Sequence, residues 1–349
     1  MKTFMPRRVA GRRCVAVTTS IAILGAFMTA ACTGQESPTS PSTTVSPTVS
    51  VDPVPSGGSV VGLPGWLYYY SFDELYRLTP AGLEFVLRGR YASVSPDGSQ
   101  IAYVDEDHSG AAGELIVTDR DGGQARSVLS DVVGLGFEPA WSPDSRRLLV
   151  ARLPEGSSEG PVVYGVVDVA TGAFTPLRQQ IEGLHPLWSA DGQHVGYVTG
   201  TCQLMVADAD GGNQRMVPVI GDPDPVVNPQ RRFGCDLYSI SPDGSLMAVD
   251  QAVGDEPWGD IGGSLAADVV IDTRTGAEVP LPVPGQLRAV LFLPNGEVLV
   301  RSTDGDTFTL TLLNPDLSIK TQVPEPPVAS ANPCGQSTYA CALLAYTPN

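Results

Sequence analysis

A four-residue turn signature recurs along this chain at intervals that leave few folds open. Ser95-Pro96-Asp97-Gly98 is followed by Ser142-Pro143-Asp144-Ser145, Ser189-Ala190-Asp191-Gly192, Ser241-Pro242-Asp243-Gly244 and Leu293-Pro294-Asn295-Gly296. The third residues of successive copies are 47, 47, 52 and 52 positions apart. Proline presets φ at the second turn position, Asp or Asn accepts local backbone hydrogen bonds, and Gly adopts the positive φ that matches a short hairpin to strand twist. Ser145 stands where Gly is wanted, which predicts modest strain, and Ala190 gives up the preset φ of proline.

Each turn joins two runs of strand character. An apolar or aromatic residue fills the slot before it (Val94, Trp141, Trp188, Ile240, Phe292), and a second run follows, as in Ile101–Val104, Leu148–Ala151, Val195–Val198, Leu246–Val249 and Val298–Val300. A third run ends in a second turn, Asp119-Arg120-Asp121-Gly122, Asp168 to Gly172, Asp208-Ala209-Asp210-Gly211 or Asp272 to Gly276, and a fourth short run such as Arg126–Leu129 follows. Four antiparallel strands on a period of 40 to 50 residues describe one blade of a β-propeller.

The aromatic-Ser-Pro-Asp-Gly strand pair, followed by a strand ending in Asp-x-x-Gly, resembles the TolB-like propeller repeat, which also occurs in the propellers of prolyl-oligopeptidase-type peptidases. The resemblance covers roughly residues 64 to 349 and implies an all-β fold. For function it implies a binding scaffold of unspecified ligand, since one fold hosts many activities.

The head of the chain is read separately. Residues 1–31 form a targeting leader: Lys2, Arg7, Arg8, Arg12 and Arg13 are a basic segment, Val15 to Thr29 is apolar, and Thr29-Ala30-Ala31-Cys32 places small residues before a cysteine. This resembles a bacterial lipobox, which implies a lipoprotein with Cys32 as the lipid attachment site and a location outside the cytoplasm, anchored to the cell membrane. Plain cleavage near Ala31, giving a secreted protein, is the alternative. Residues 32–62 are rich in Ser, Thr and Pro and too poor in large apolar side chains to offset ordering entropy, so they are expected to be a disordered tether.

Residues 63–349 make the propeller domain. It opens on an incomplete repeat, with Trp66–Tyr70, Glu74–Leu78 and Leu83–Leu87 as second, third and fourth strands. The missing first strand is sought in Ser337–Tyr346 at the other end. The expectation is a six-bladed β-propeller of four-stranded antiparallel blades, its ring closed by pairing of the C-terminal strand with the N-terminal blade.

Removing the leader leaves 16 basic residues against 38 acidic ones, a net charge of −22. That balance disfavours nucleic acid and anionic membrane surfaces as direct partners, leaving the lipid anchor as the membrane contact and a monomer as the expected state. Cys202 and Cys235 are placed near one rim, and Cys334 and Cys341 near the closing segment, which makes these four the disulfide candidates of an oxidising compartment; the other two pairings stay open. No Cys-x-x-Cys or paired His accompanies them, so no metal or other cofactor is expected.

In a propeller the turns joining strands one to two and three to four share one face, and the remaining connections share the other. The long loops, Asp105 to Gly113, Pro154 to Pro161, Ile220 to Gly234 and Gln251 to Ala266, all fall in the second set, which makes that rim the expected working face. First strands line the channel and begin at the same rim, placing Tyr91, Glu138, His185 and Tyr238 near its mouth. Trp258 is a candidate contact residue in a Gly- and acid-rich loop. Asp105-Glu106-Asp107 and Asp255-Glu256 with Asp260 are read as solvated charge in preference to calcium ligands.

Catalytic signals are thin. Gly156-Ser157-Ser158-Glu159-Gly160 matches Gly-x-Ser-x-Gly but sits between two strands, where a nucleophile elbow needs strand, turn and helix. The sequence therefore points to a non-enzymatic envelope protein that binds another envelope protein or a peptide. A propeller enzyme or glycan-binding protein acting on a cell-wall or extracellular carbohydrate at the channel mouth is the alternative.

Overall fold

In the computed structural model every regular element of the described residues is a β-strand. Those residues are 59–60, 63–71, 73–79, 82–106, 112–134, 138–154, 157, 160–254, 267–305, 307–325 and 342–347. The leader, Cys32, most of the tether, Asp107, Asp255, Glu256, Asp260, Trp258, Cys334 and Cys341 lie outside them.

The strands form antiparallel sheets in a propeller arrangement. One four-stranded sheet runs Ala342–Thr347, Trp66–Ser71, Glu74–Thr79, Gly82–Arg88; a second runs Leu184–Trp188, His194–Val198, Leu204–Asp208, Arg215–Met216; a third runs Gln286–Phe292, Val298–Asp304, Thr307–Leu313, Ile319–Pro324. The C-terminal strand pairs with the N-terminal sheet in a register that sets Ala342 opposite Tyr70 and Thr347 opposite Trp66.

The hydrogen bonding departs from six separate four-stranded sheets in two places, each with a local cause. The repeats holding Ser95 and Ser142 share one eight-stranded sheet. Their junction is Arg126–Val133, long enough for Val132 and Val133 to pair with Arg152 and Ala151 of the next repeat, whose first strand is only Ala140–Trp141. The repeat holding Ser241 has three strands, Arg232–Ile240, Leu246–Val253 and Val269–Asp272, and its fourth run is reduced to the bridge Ile271 to Glu278. Pro280, Pro282 and Pro284 follow Glu278 and cannot donate to a ladder.

The recurring turn is built around its serine, a part that propensity reasoning undervalues. Ser95 is fully buried; its Oγ donates to Asp97 Oδ1 at 2.7 Å and accepts from the Gln100 N–H at 2.9 Å. Ser142, Ser189 and Ser241 repeat both bonds with Asp144 and Arg147, Asp191 and His194, and Asp243 and Leu246. The Asp144 carboxyl is held below its usual range by its bond from Ser142, helped by the Arg146 N–H. Ser145 does adopt the left-handed φ of 57° that the sequence anticipated. Its Oγ, however, accepts the Asp97 N–H of the neighbouring repeat at 3.2 Å, a bond that glycine has no atom to make.

Apolar alternation builds the core between successive repeats. Ala102, Val104, Leu115, Val117, Leu148, Val150 and Val167 form one such buried layer, closed by Trp141, whose indole donates to the Ser93 carbonyl at 3.2 Å. The turn between third and fourth strands docks on the preceding repeat. A Cβ on Gly211, at φ +83°, would fall 1.8 Å from the Gln179 carbonyl oxygen, and one on Gly276, at φ +70°, 1.9 Å from that of Pro218. Beside the first contact, Arg178 Nε donates to Asp210 Oδ2 at 2.6 Å.

Candidate functional site at the rim of the long connections

First strands carry a bulge close to where they enter the sheet, and the bulge decides which side chain reaches the axis. In Leu184–Trp188 the register shifts between Leu184 and Leu187, and His185 takes a left-handed φ of 50°. Tyr91, at the same distance before its turn serine, has φ 54° inside the Arg90 to Ser93 shift. A non-glycine residue held in this region stores strain of about 1–3 kcal/mol and persists only where the surroundings fix it.

The surroundings of His185 are specific. Its Nδ1 lies 3.0 Å from Glu138 Oε2 and its Nε2 lies 3.0 Å from Asp236 Oδ1, so three consecutive repeats meet through one imidazole. All three side chains are 21–29% exposed. Tyr164 fixes the approach of this strand, its hydroxyl donating to the Gly183 carbonyl. Burial alone drives the His185 pKa down, but the bonds to Asp236 and Glu138, with their charges, outweigh it and raise the pKa to about 10. At neutral pH the ring is therefore an imidazolium with both N–H groups donated. It has no nitrogen lone pair to offer a metal or to act as a base.

Of the residues singled out in the sequence, Glu138 and His185 are brought together. Tyr91 lies beside them: its hydroxyl pKa is raised by burial and then by the charges of Glu106 and Glu138. Its N–H donates to the Tyr70 hydroxyl at 3.1 Å, and the Arg90 guanidinium sits 5.6 Å over its ring. Tyr238 goes elsewhere. Its ring packs between two apolar clusters, and its hydroxyl is sealed from solvent with no hydrogen-bond partner among the described residues.

Three parts of the rim escaped sequence reasoning. Asp236 was missed because the register shift between Leu237 and Ser239, where Tyr238 is the extra residue, moves the inward position one residue further from the turn serine. A second network joins Asp73, Arg90 and Glu106, with Arg90 NH1 2.5 Å from a Glu106 carboxylate that is 1% exposed. Glu106 is thus an ion-pair partner, where the sequence suggested solvated charge. A third sets Arg301 Nε 2.9 Å from Glu325 Oε2, with the guanidinium 4.2 Å over the Phe308 ring and Glu325 accepting from the Tyr69 hydroxyl. Arg301 and Glu325 are 24 residues apart, and only folding pairs them.

The opposite face has a depression of about 210 Å³ between the short turns, lined by His194, Asp208, Asn213, Arg215 and Asp243. Asp208 is occupied there by its own turn, accepting from Asn213 Nδ2 at 2.6 Å.

No protein-family model matches the chain. A 105-residue stretch is 31% identical to the Tol-Pal system protein TolB of Anaeromyxobacter dehalogenans (strain 2CP-C) and 30% identical to that of strain 2CP-1 / ATCC BAA-258. Each match covers 29% of this chain and 23% of the relative, so the chain spans less than a quarter of the relatives it matches. Among solved structures, TolB from Acinetobacter baumannii aligns over 76% of this chain and 66% of its own, at 18% identity and a TM-score of 0.46. An oligogalacturonate lyase in complex with manganese aligns over 76% and 72%, at 17% identity and a TM-score of 0.44. The recurring serine-centred turns and the antiparallel sheets they join, with 31% identity over 105 residues, make this chain's repeat similar to that of TolB-like β-propellers.

Proposed function

We propose that this chain is an extracytoplasmic envelope protein whose propeller, six blades closed by the C-terminal strand, binds another protein or a peptide at the rim of long connections. In this reading the shared eight-stranded sheet counts as two blades and the proline-interrupted sheet as one. The leader and Cys32 tether the domain to the membrane by lipid, with a secreted form as the alternative.

One observation carries the binding reading. The Glu138–His185–Asp236 bridge rigidly joins three repeats at the rim where the connections are long and irregular, the combination of fixed scaffold and variable loops on which recognition surfaces are built. The identity to a protein named for the Tol-Pal system supports an envelope setting. The rim also exposes apolar side chains: Val226 at 85%, in the connection that carries Asp222 and Asp224, and Val253 at 63%, at the end of Leu246–Val253.

The test is a pull-down from detergent-solubilised envelopes by the wild-type chain, a chain lacking residues 251–266, and His185→Gln. The reading expects the same proteins to be lost from both variants. An unchanged captured set for both overturns it. A size shift of the exported chain on globomycin treatment, absent in Cys32→Ser, checks the lipid anchor.

A second reading, action on a carbohydrate at the channel mouth, draws on the convergence of Glu138 with His185. Against it stands the chemistry of the ring, since an imidazolium bonded at both nitrogens is a weak acid and no base. Release of reducing ends from cell-wall glycan by wild type, lost in Glu138→Gln, would favour this reading over the first.

A further inference from the structure

Cys202 and Cys235 are both buried, 3% and 8% exposed. Cys202 sits at φ 58° in the Thr199–Gln203 turn, its N–H bonded to the Thr199 carbonyl at 2.9 Å. Cys235 occupies the bulge of Arg232–Ile240, for Gly234 faces Gln251 and Asp236 faces Asp250, leaving Cys235 no opposite residue in the ladder. The two backbones are tied together at this point by the Gly234 N–H, which donates to the Cys202 carbonyl at 3.2 Å. The thiols hydrogen-bond each other, an interaction that lowers the Cys202 pKa and raises that of Cys235.

We propose that Cys202 and Cys235 form a disulfide that staples the Thr199–Gln203 turn to the bulge presenting Asp236 to His185. The linkage crosses from one repeat to the next, and the segment it encloses, residues 203–234, contains the whole long connection with exposed Val226 and Val227. It fixes the strand from which Asp236 reaches the imidazole, so the redox state of the pair bears on the rim.

The oxidant is an external disulfide. The Cys202 thiolate attacks one of its sulfurs, forming a mixed disulfide and expelling one thiolate. The Cys235 thiol then gives up its proton and its sulfur attacks the Cys202 sulfur, expelling the second. Two electrons pass from the cysteine pair to the oxidant, which becomes two thiols, and the two cysteine protons end on those thiols. Because both sulfurs are buried in the finished fold, exchange takes place while the turn and strand are still open, and the product is shielded from later reduction.

The pairing does not depend on what the rim binds, and its test is separate. The reduced full-length chain is refolded with oxidised glutathione, remaining thiols are blocked with N-ethylmaleimide, and the protein is cut at Lys and Arg. The expected product links Gln179–Arg215, which carries Cys202, to Phe233–Arg274, which carries Cys235. Reduction is expected to separate them and to lower the melting temperature by about 5 °C, with no such effect in a Cys202→Ser, Cys235→Ser chain. Both peptides recovered fully alkylated, or either one linked instead to Thr321–Asn349 with its Cys334 and Cys341, overturns the proposal. So does a wild-type melting temperature that is the same with and without reductant.

Discussion

The imidazolium bridge should make the folded domain lose stability as the medium becomes alkaline, and removing His185 should remove that dependence. In the unfolded chain the ring titrates near its ordinary value of 6.5; in the folded chain it holds its proton up to about pH 10. The folded state binds the proton more tightly, so the contribution is complete below about pH 6.5 and falls away as pH rises through the folded value. At about 1.4 kcal/mol per pKa unit the full shift corresponds to about 5 kcal/mol. The side chain is 21% exposed, and solvent screens part of that interaction. Between about pH 6 and about pH 9, wild type is therefore expected to lose about 2–3 kcal/mol more than His185→Gln. Urea unfolding at several pH values measures the difference, and comparing the two chains cancels the other titrating groups. The neutral amide retains hydrogen bonding without the charge, so parallel stability curves would refute the claim that the proton on His185 is what Glu138 and Asp236 hold. The imidazole resonances offer a direct check: their chemical shifts should stay at protonated values at about pH 8.

Other predictions address the repeat. Gly211→Ala is expected to cost about 2–4 kcal/mol in denaturant unfolding, since the new methyl meets the Gln179 carbonyl oxygen at a φ that Ala resists. Ser189→Ala removes the acceptor of the buried His194 N–H bond and the donor to Asp191, and should cost about 1–3 kcal/mol. Ser145→Gly should shift stability by less than about 1 kcal/mol, because relief of the left-handed φ is offset by loss of the bond from the Asp97 N–H. A clear stabilisation would mean that this inter-repeat bond contributes nothing.

How much could be read before folding depended on whether the physics was local. The turns were legible because proline, aspartate and glycine act within four residues, and the paired strands followed from their period. The role of Ser95 and its counterparts was under-read, as burial of the hydroxyl depends on the neighbouring repeat. Glu138 and His185 could be placed near one rim by counting back from the turn serine. Asp236 could not, because a bulge changes the count by one, and Tyr238 was drawn into the core by the same shift. Arg90 with Glu106 and Arg301 with Glu325 show no sequence signal at all, each being an ion pair within one sheet that strand register brings within reach.

The chain's own order of residues determined that it would make short antiparallel strands at a period near fifty, and that its last strand would have a partner at its start, since a repeat lacking one strand leaves an edge to be covered. Tertiary structure alone decided which side chains face the axis and that one imidazole links three repeats. Those outcomes rest on bulges and on contacts between repeats. Such contacts depend on distances in space, and a linear sequence carries no direct measure of them.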